Sequence, residues 1–224
     1  MIYIMSDLHG CFEEFKEMLE LIHFSEDDEL YIIGDIIDRG PEPIPLLQYI
    51  MDQKNIYVIM GNHEDMMLDA IKTKQYNLWY YNGGDITNKQ FQKLHQKEKD
   101  KIIKYLSELP LMRELSVNGK DYILIHGGPG LFFKMGYEAN KITKSVLWER
   151  FNSLNKEEAE AIFPGKNFIV GHTPTFMYGK DNKIISCGNI MIIDCGCVFG
   201  YSLSCLCLEK GKVYYVKSKL NSNI

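Results

Sequence analysis

The sequence has no long hydrophobic run, no excess of positive charge and no internal repeat. No stretch approaches the length of a membrane span, and no charged segment with a cleavage site precedes the first apolar run, so we expect neither a membrane segment nor a signal peptide. A net charge of −5 argues against a general nucleic-acid-binding protein, which would carry a basic stripe. Without low-complexity linkers, the 224 residues fit one domain, 1–224.

Cysteine is nearly absent from the first 186 residues, and five of the six cysteines follow them. In a chain of this length without an export signal, reduced thiols in the cytoplasm are expected rather than disulfides. Two pairs, Cys195 with Cys197 and Cys205 with Cys207, each place thiols on one strand face. They leave two interpretations open, a structural zinc site or small buried apolar side chains, and the one-residue spacing favours the second.

Short apolar runs alternate with helical patterns, which indicates an α/β layered fold. Residues 65–112 have mostly helical patterns and are predicted to form an insertion packed beside the site. Its lysines interleave with Glu98 and Asp100, so a solvated helix face is favoured over a docking surface for an acidic partner. A helix is predicted from Asn155 to Phe163. Strands are predicted at 2–5, 30–33, 56–59, 122–125, 168–170, 190–193, 203–208 and 213–216.

Five short polar clusters each follow an apolar, strand-like run. They are residues 7–10 (DLHG), 34–40 (GDIIDRG), 61–64 (GNHE), 126–128 (HGG) and 171–173 (GHT). In α/β sheets, ligands gather at the carboxyl ends of strands, where loops converge. Each cluster alone has an ordinary explanation as a loop, a turn or a helix cap, but the full set in this order does not.

Together the clusters hold a full set of metal ligands. Asp7 and His9 are two residues apart, so in extended backbone they point to one side and could chelate one ion. The Asp35 carboxylate could bridge two ions, which an imidazole cannot do. The further donors are the amide oxygen of Asn62 and the imidazole nitrogens of His126 and His172. Oxygen and nitrogen donors without thiolates suit two divalent ions, Mn²⁺ first and otherwise Fe, Zn, Co or Ni.

Two such ions could activate a water and clamp a phosphoryl group, so the clusters predict a two-metal phosphoesterase. They resemble the phosphoprotein phosphatase branch of the calcineurin-like metallophosphoesterases, and most of all its compact bacterial and bacteriophage serine/threonine protein phosphatases. The resemblance runs from residue 2 to about 216, with GDIIDRG as the most specific motif; residues 79–84 and 193–200 resemble the bacterial subset. It implies a four-layer α/β/β/α sandwich, the metallo-dependent phosphatase fold, with the helical insertion at about 65–112.

The resemblance also implies a role for each residue. Asp7 and His9 would hold the first metal, and Asp35 would bridge. The second metal would be held by Asn62, His126 and His172. A hydroxide between the metals would attack a phosphomonoester directly, without a phosphoenzyme.

Three further side chains would act on the substrate in relatives of this kind. His63 would be the general acid that protonates the leaving alcohol, and Asp38 would orient and charge it. Arg39 would clamp the phosphate with two hydrogen bonds. Arg150 is the expected second clamp, and its alternative is an ordinary surface arginine.

The chain departs from the family pattern at three places. Met60 stands where many members carry an arginine, so one phosphate contact is expected to be missing. Ser6 replaces a common glycine, a small change. Residues 129–130 continue the fourth cluster with Pro-Gly, unlike eukaryotic relatives.

Three functions remain open from the sequence. The favoured one is a phosphatase acting on a phosphorylated protein or a small phosphoester, with no nucleic-acid or membrane partner. The second is symmetrical hydrolysis of dinucleoside tetraphosphates, which uses the same metal core. The third is a scaffold that has lost catalysis, which is disfavoured because no ligand and no general acid is missing.

Overall fold

A computed structural model describes residues 1–128, 144–150, 165–179 and 182–221. The predicted helix from Asn155 to Phe163 and the departure at residues 129–130 lie outside these ranges. The strands are β1 (Ile2–Met5), β2 (Glu29–Ile33), β3 (Ile56–Ile59), β4 (Met112–Val117), β5 (Lys120–Ile125), β6 (Lys166–Val170), β7 (Ile185–Cys187), β8 (Ile190–Ile192), β9 (Ser202–Cys207) and β10 (Lys212–Lys217). The α-helices are α1 (Phe12–Leu21), α2 (Pro43–Met51), α3 (Asn62–Thr73), α4 (Asn77–Tyr81), α5 (Asp85–Gln92) and α6 (Gln96–Ser107).

The strands form two mixed sheets of five strands each. The first has the order β10-β9-β1-β2-β3, in which β1, β2 and β3 are parallel and β9 runs antiparallel to β1. The second has the order β4-β5-β6-β8-β7, with parallel β5, β6 and β8 between two antiparallel edge strands. The described ranges therefore give the two sheets of the predicted sandwich.

The inner strands, such as β1 and β2, are apolar on both faces because the sheet is covered on both sides there. In β1, Tyr3 and Met5 pack in the cluster that holds α1 and α2, whereas Ile4 packs in the layer between the sheets. That inner layer also contains Ile33 of β2 and Leu124 of β5. Alternate side chains of one strand thus build two separate layers of core, as the period of two requires.

The helical character of 65–112 is confirmed by α3 to α6. Its lysines are largely solvent-facing: Lys89 pairs with Asp85, and Lys104 lies 3.9 Å from Glu108, which agrees with a solvated face. Two strands were not predicted, β4 and β7. Both lie at sheet edges, and β4 has only one fully buried residue, so its hydrophobic pattern is weak.

The polar clusters sit at one edge of the sandwich. Parallel strands end on the same side, so the loops after β1, β2, β3, β5 and β6 meet there. These loops carry five of the six predicted metal ligands, and the sixth, Asn62, is the first residue of α3. In the described part of the chain, no helix is both long and apolar enough to span a bilayer.

Candidate metal centre

The six predicted ligands meet in one buried group, and none is more than 8% exposed. The Asn62 Oδ1 atom lies 2.9 Å from His126 Nε2 and 2.9 Å from His172 Nδ1. The Asp35 Oδ2 atom lies 3.3 Å from His126 Nε2 and 3.6 Å from His9 Nε2. The Asp7 carboxylate accepts the backbone N–H of His172 at 3.1 Å, which ties the first cluster to the last.

These separations fit the coordination of metal ions. Ligand atoms held about 2.1 Å from one ion, at right angles, stand about 3 Å apart. Asp35 belongs to two groups of possible ligands, one with His9 and His63 and one with His126 and His172. A carboxylate shared by two groups is the arrangement that a pair of ions needs, so the residues present fit a dinuclear centre.

Two histidines have their ring orientation fixed by backbone carbonyls. His9 Nδ1 lies 2.9 Å from the carbonyl oxygen of Ile37, and His126 Nδ1 lies 2.8 Å from that of Ile33. A carbonyl can only accept, so each Nδ1 carries a hydrogen and each Nε2 is turned toward Asp35. Fixing the other ring nitrogen in this way is typical of metal-binding histidines.

The backbone of the site is held in an unfavourable conformation. Ten non-glycine residues in the described ranges have positive φ, and six of them belong to the predicted site: Asp7, His9, Asp35, Asp38, Arg39 and His172. Such conformations persist only where the surrounding structure enforces them, and they concentrate at functional sites. Gly61 allows the close approach, because a Cβ there would fall 2.2 Å from Asp35 Oδ1.

Burial opposes ionisation of the carboxyl groups in and around the site, and nearby charges decide the outcome for each. Burial raises the pKa of Asp7 to about 7, and it raises the pKa of Asp194 well above its usual value, with Asp7 adding to the effect. Burial also opposes ionisation of Asp35, but His126 and His63 outweigh it and hold the pKa of Asp35 well below its usual range. Bound cations would stabilise these carboxylates, because opposite charge is the strongest compensation for desolvation.

The imidazoles respond to the same surroundings. Burial lowers the pKa of His172 to about 3 and that of His9 well below its usual value. Burial works against protonation of His126 too, yet the Asp35 carboxylate raises its pKa to about 10. A metal ion at His126 would therefore have to displace a proton, so its binding would be pH-dependent.

The comparisons with known proteins identify the family of the chain. The family model of calcineurin-like phosphoesterases matches residues 1–216. The chain belongs to the calcineurin-like phosphoesterases. It is therefore a metal-dependent phosphoester hydrolase of a family that uses a dinuclear metal centre.

Individual relatives fall into two functional groups. Serine/threonine-protein phosphatase 1 of Salmonella typhimurium is 28% identical over 205 residues, covering 91% of this chain and 89% of the relative. A symmetrical bis(5'-nucleosyl)-tetraphosphatase of Aromatoleum aromaticum is 24% identical over 272 aligned positions, covering 96% of each chain. The crystal structure of a candidate diadenosine tetraphosphatase shares the fold, with a TM-score of 0.71 at 17% identity over 98% of this chain and 94% of that chain.

A histidine–aspartate pair stands beside the ligand group of this phosphoesterase. His63 Nδ1 lies 2.6 Å from Asp38 Oδ2, and both side chains are fully buried. His63 Nε2 lies 3.9 Å from Asp35 Oδ2 and has no hydrogen-bond partner among the described residues. The ring is thus fixed at one nitrogen and leaves the other facing the centre.

The two predicted phosphate clamps differ in how firmly they are held. Arg39 Nη1 lies 2.8 Å from His9 Nε2, and the guanidinium stacks 5.5 Å from the ring centre of Phe199. Arg150 is exposed and donates to Met177 Sδ at 3.9 Å. Its charge is among the causes that lower the pKa of His172, which puts it near the centre.

Met60 and Ser6, the departures from the family pattern, have different consequences. Met60 is 5% exposed and packs in the apolar cluster of Ile123 and Phe168, so it offers the site no charge. Ser6 is buried, and its hydroxyl donates to Asp7 Oδ2 at 2.5 Å. The serine is therefore more than a small change, because it orients a predicted metal ligand.

The six cysteines are all free and buried. Cys197 meets Cys11 and Glu14, while Cys195, Cys205 and Cys207 join no group of three possible ligands in the described ranges. Structural zinc takes four ligands, and this group has three. The small apolar interpretation fits the burial of these side chains.

Glu64, the last residue of the third polar cluster, holds the loop of Asp35. Its Oε1 accepts the backbone N–H of Ile36 at 2.8 Å, and its Oε2 accepts those of Asp35 at 2.9 Å and Gly61 at 3.0 Å. Burial raises the pKa of Glu64 to about 7, with the Asp35 charge adding to the effect. The only sequence signal was its place at the third position of a helix that begins beside a ligand.

Replacing Glu64 with glutamine should weaken the loop without changing its size. One of the two accepting oxygens becomes an NH₂ group that faces backbone donors, which should lower the free energy of unfolding by about 1–3 kcal/mol. Urea denaturation of the metal-free protein measures this. Glu108→Gln is the matched control, since Glu108 is exposed and should have almost no effect. Equal stability of the two variants would contradict the role given to Glu64.

Proposed function

We propose that this phosphoesterase is a serine/threonine protein phosphatase that hydrolyses phosphomonoesters. The observation that carries the proposal is the His63–Asp38 pair standing beside the ligand group with Arg39. Hydrolysis of a phosphomonoester requires a general acid, a carboxylate that orients the acid and a guanidinium that binds the phosphate. His63, Asp38 and Arg39 offer these three groups around one cluster of candidate ligands.

The proposal divides the ligands between two sites. Asp7 and His9 would hold one ion, and Asp35 would be shared. The other ion would be held by Asn62, His126 and His172. Bound ions of this kind supply a nucleophilic water at neutral pH and neutralise phosphoryl charge. Manganese is the proposed metal, with iron, zinc, cobalt and nickel as alternatives compatible with the donor set.

His63 acts as the general acid in this proposal. Its Nδ1–H donates to Asp38, which fixes the orientation of the ring and leaves Nε2 facing the centre. As the general acid, His63 would pass a proton from Nε2 to the leaving oxygen of the ester. Asp38 takes no part in proton transfer itself; it orients the ring.

The arginines recognise the phosphate. The guanidinium of Arg39 offers a fork of N–H donors for two phosphate oxygens, and Phe199 supports it from one side. Arg150 is proposed as a second, looser contact, since its neighbour Trp148 packs 6.3 Å from the ring of His172. Met60 supplies no third guanidinium, so phosphate binding depends on these two.

The substrate class rests on how this chain aligns with its two groups of relatives. Serine/threonine-protein phosphatase 1 aligns over 205 residues within the length of this chain, whereas alignment to the tetraphosphatase extends over 272 positions. The tetraphosphatase therefore has segments with no counterpart in the aligned part of this chain. We also propose a reducing location such as the cytoplasm, in keeping with six free thiols.

His63→Ala tests the general acid. The variant should keep its metal content, because His63 is outside the proposed ligand set, while turnover on a phosphoserine peptide falls by about 10²–10⁴. Metal analysis and steady-state kinetics on the same preparation measure both. Unchanged turnover would overturn the assignment of His63.

Asp35→Ala is the contrasting variant. Loss of the shared carboxylate should remove both bound metal and activity, measured by the same metal analysis after dialysis against Mn²⁺. A variant that stays fully metallated would refute the shared role of Asp35.

A substrate panel tests the function as a whole. With added Mn²⁺, kcat/KM on phosphoserine and phosphothreonine peptides should exceed that on diadenosine tetraphosphate and on phosphotyrosine peptides. Preference for diadenosine tetraphosphate would favour the alternative from the sequence. Failure to hydrolyse even p-nitrophenyl phosphate would favour the scaffold.

A further inference from the structure

The Asp38 carboxylate is held by more than His63. It is fully buried and accepts three hydrogen bonds: His63 Nδ1 at 2.6 Å and Trp79 Nε1 at 2.8 Å on Oδ2, and the Thr87 hydroxyl at 2.6 Å on Oδ1. Trp79 lies on α4 and Thr87 on α5, so both extra donors come from the helical insertion. The pattern of apolar residues in the sequence predicts no functional role for Trp79 or Thr87.

Thr87 contacts Asp38 at two points. Its hydroxyl donates to the carboxylate and also accepts the backbone N–H of Asp38 at 2.9 Å. One side chain therefore fixes both the backbone and the rotamer of Asp38. Thr87 is itself fully buried, so the hydroxyl has no exchange with solvent to weaken this arrangement.

The backbone here needs such support. Asp38 and Arg39 have φ values of 74° and 65°, in the left-handed region that non-glycine residues keep only where the surroundings enforce it. The insertion supplies a second tie, because the backbone N–H of Arg39 donates to the carbonyl of Gly83 at 3.0 Å. Contacts from α4, from α5 and from Gly83 between them therefore hold this turn in place. The turn directs Asp38 toward His63 and Arg39 toward the centre.

Trp79 can reach Asp38 only because Gly84 has no side chain. A Cβ at Gly84 would fall 2.2 Å from the indole Nε1. Trp79 is 1% exposed and also packs in the apolar core, which alone would explain a buried aromatic ring. Core packing does not explain why its only polar atom donates to the same oxygen that orients His63.

We propose that Trp79 and Thr87 are positioning residues for the His63–Asp38 pair. They act through Asp38: with both donors present, the carboxylate keeps Oδ2 directed at His63 Nδ1, and the ring presents Nε2 to the leaving oxygen. The inference rests on the proposed function, since it assumes that His63 is the general acid. The helical insertion then has two roles: it packs against the sheet, and it positions the proposed general acid.

The test uses esters that need a general acid to different degrees. p-Nitrophenolate leaves readily without a proton, whereas the serine oxygen of a phosphopeptide does not, so a misplaced acid should affect the peptide more. In Trp79→Phe and Thr87→Val, kcat on the phosphoserine peptide should fall by about 10-fold or more, with KM little changed and p-nitrophenyl phosphate turnover reduced by less than about 3-fold. Thr87→Ser, which keeps the hydroxyl, should restore the peptide rate.

Two controls separate positioning from general damage. Tyr81→Phe alters an exposed ring on the same helix, 90% exposed, and should leave both substrates unchanged. Manganese content and thermal unfolding of each variant report whether the centre and the fold are intact, independently of turnover. If Thr87→Val does not fold, Trp79→Phe and Thr87→Ser still decide the question.

A double-mutant cycle gives the sharpest outcome. If both residues act through Asp38, then in the Asp38→Asn background Trp79→Phe and Thr87→Val should each cost less than about 2-fold. Equal losses on the two esters, or full losses in the Asp38→Asn background, would overturn the proposal. Failure of the unmodified protein to hydrolyse either ester would instead count against the proposed function.

Discussion

The burial of the Asp35 carboxylate is the constraint on which the rest of the site depends. Oδ1 accepts the backbone N–H of His63 at 3.0 Å, and Oδ2 faces the imidazoles of His9, His63 and His126 within 3.9 Å. A carboxylate that is 2% exposed needs compensation on every side, because an unpaired buried charge costs several kcal/mol. Four loops must converge to provide it.

The fold meets this requirement through strand direction. The strands that precede the loops are parallel to their neighbours in each sheet, so their carboxyl ends deliver donors from both sheets to one edge. This convergence of loops is accompanied by strained backbone, with positive φ at Asp7, His9, Asp35 and His172. Glu64 offsets part of it by tying three backbone N–H groups around Asp35, and the helical insertion does the same for the turn at Asp38.

The features that could be predicted from the sequence are those whose signal lies within a short stretch of chain. Apolar runs predicted the buried strands, and polar residues just after them predicted the candidate ligands, because both signals lie within a few neighbouring positions. The edge strands β4 and β7 were not predicted, because an edge strand has little apolar periodicity. The contacts of Thr87 and Trp79 with Asp38 were not predicted for another reason. Each residue is more than 40 positions from Asp38 in the sequence, and no local pattern indicates such a contact.

The central claim is that one cluster of side chains binds two ions through a shared Asp35. Crystals grown with Mn²⁺ and measured for anomalous scattering at the manganese edge test it most directly. We predict two manganese peaks per chain that both contact Asp35, one beside Asp7 and His9 and the other beside Asn62, His126 and His172. A single peak, or two peaks that do not share Asp35, would contradict the account.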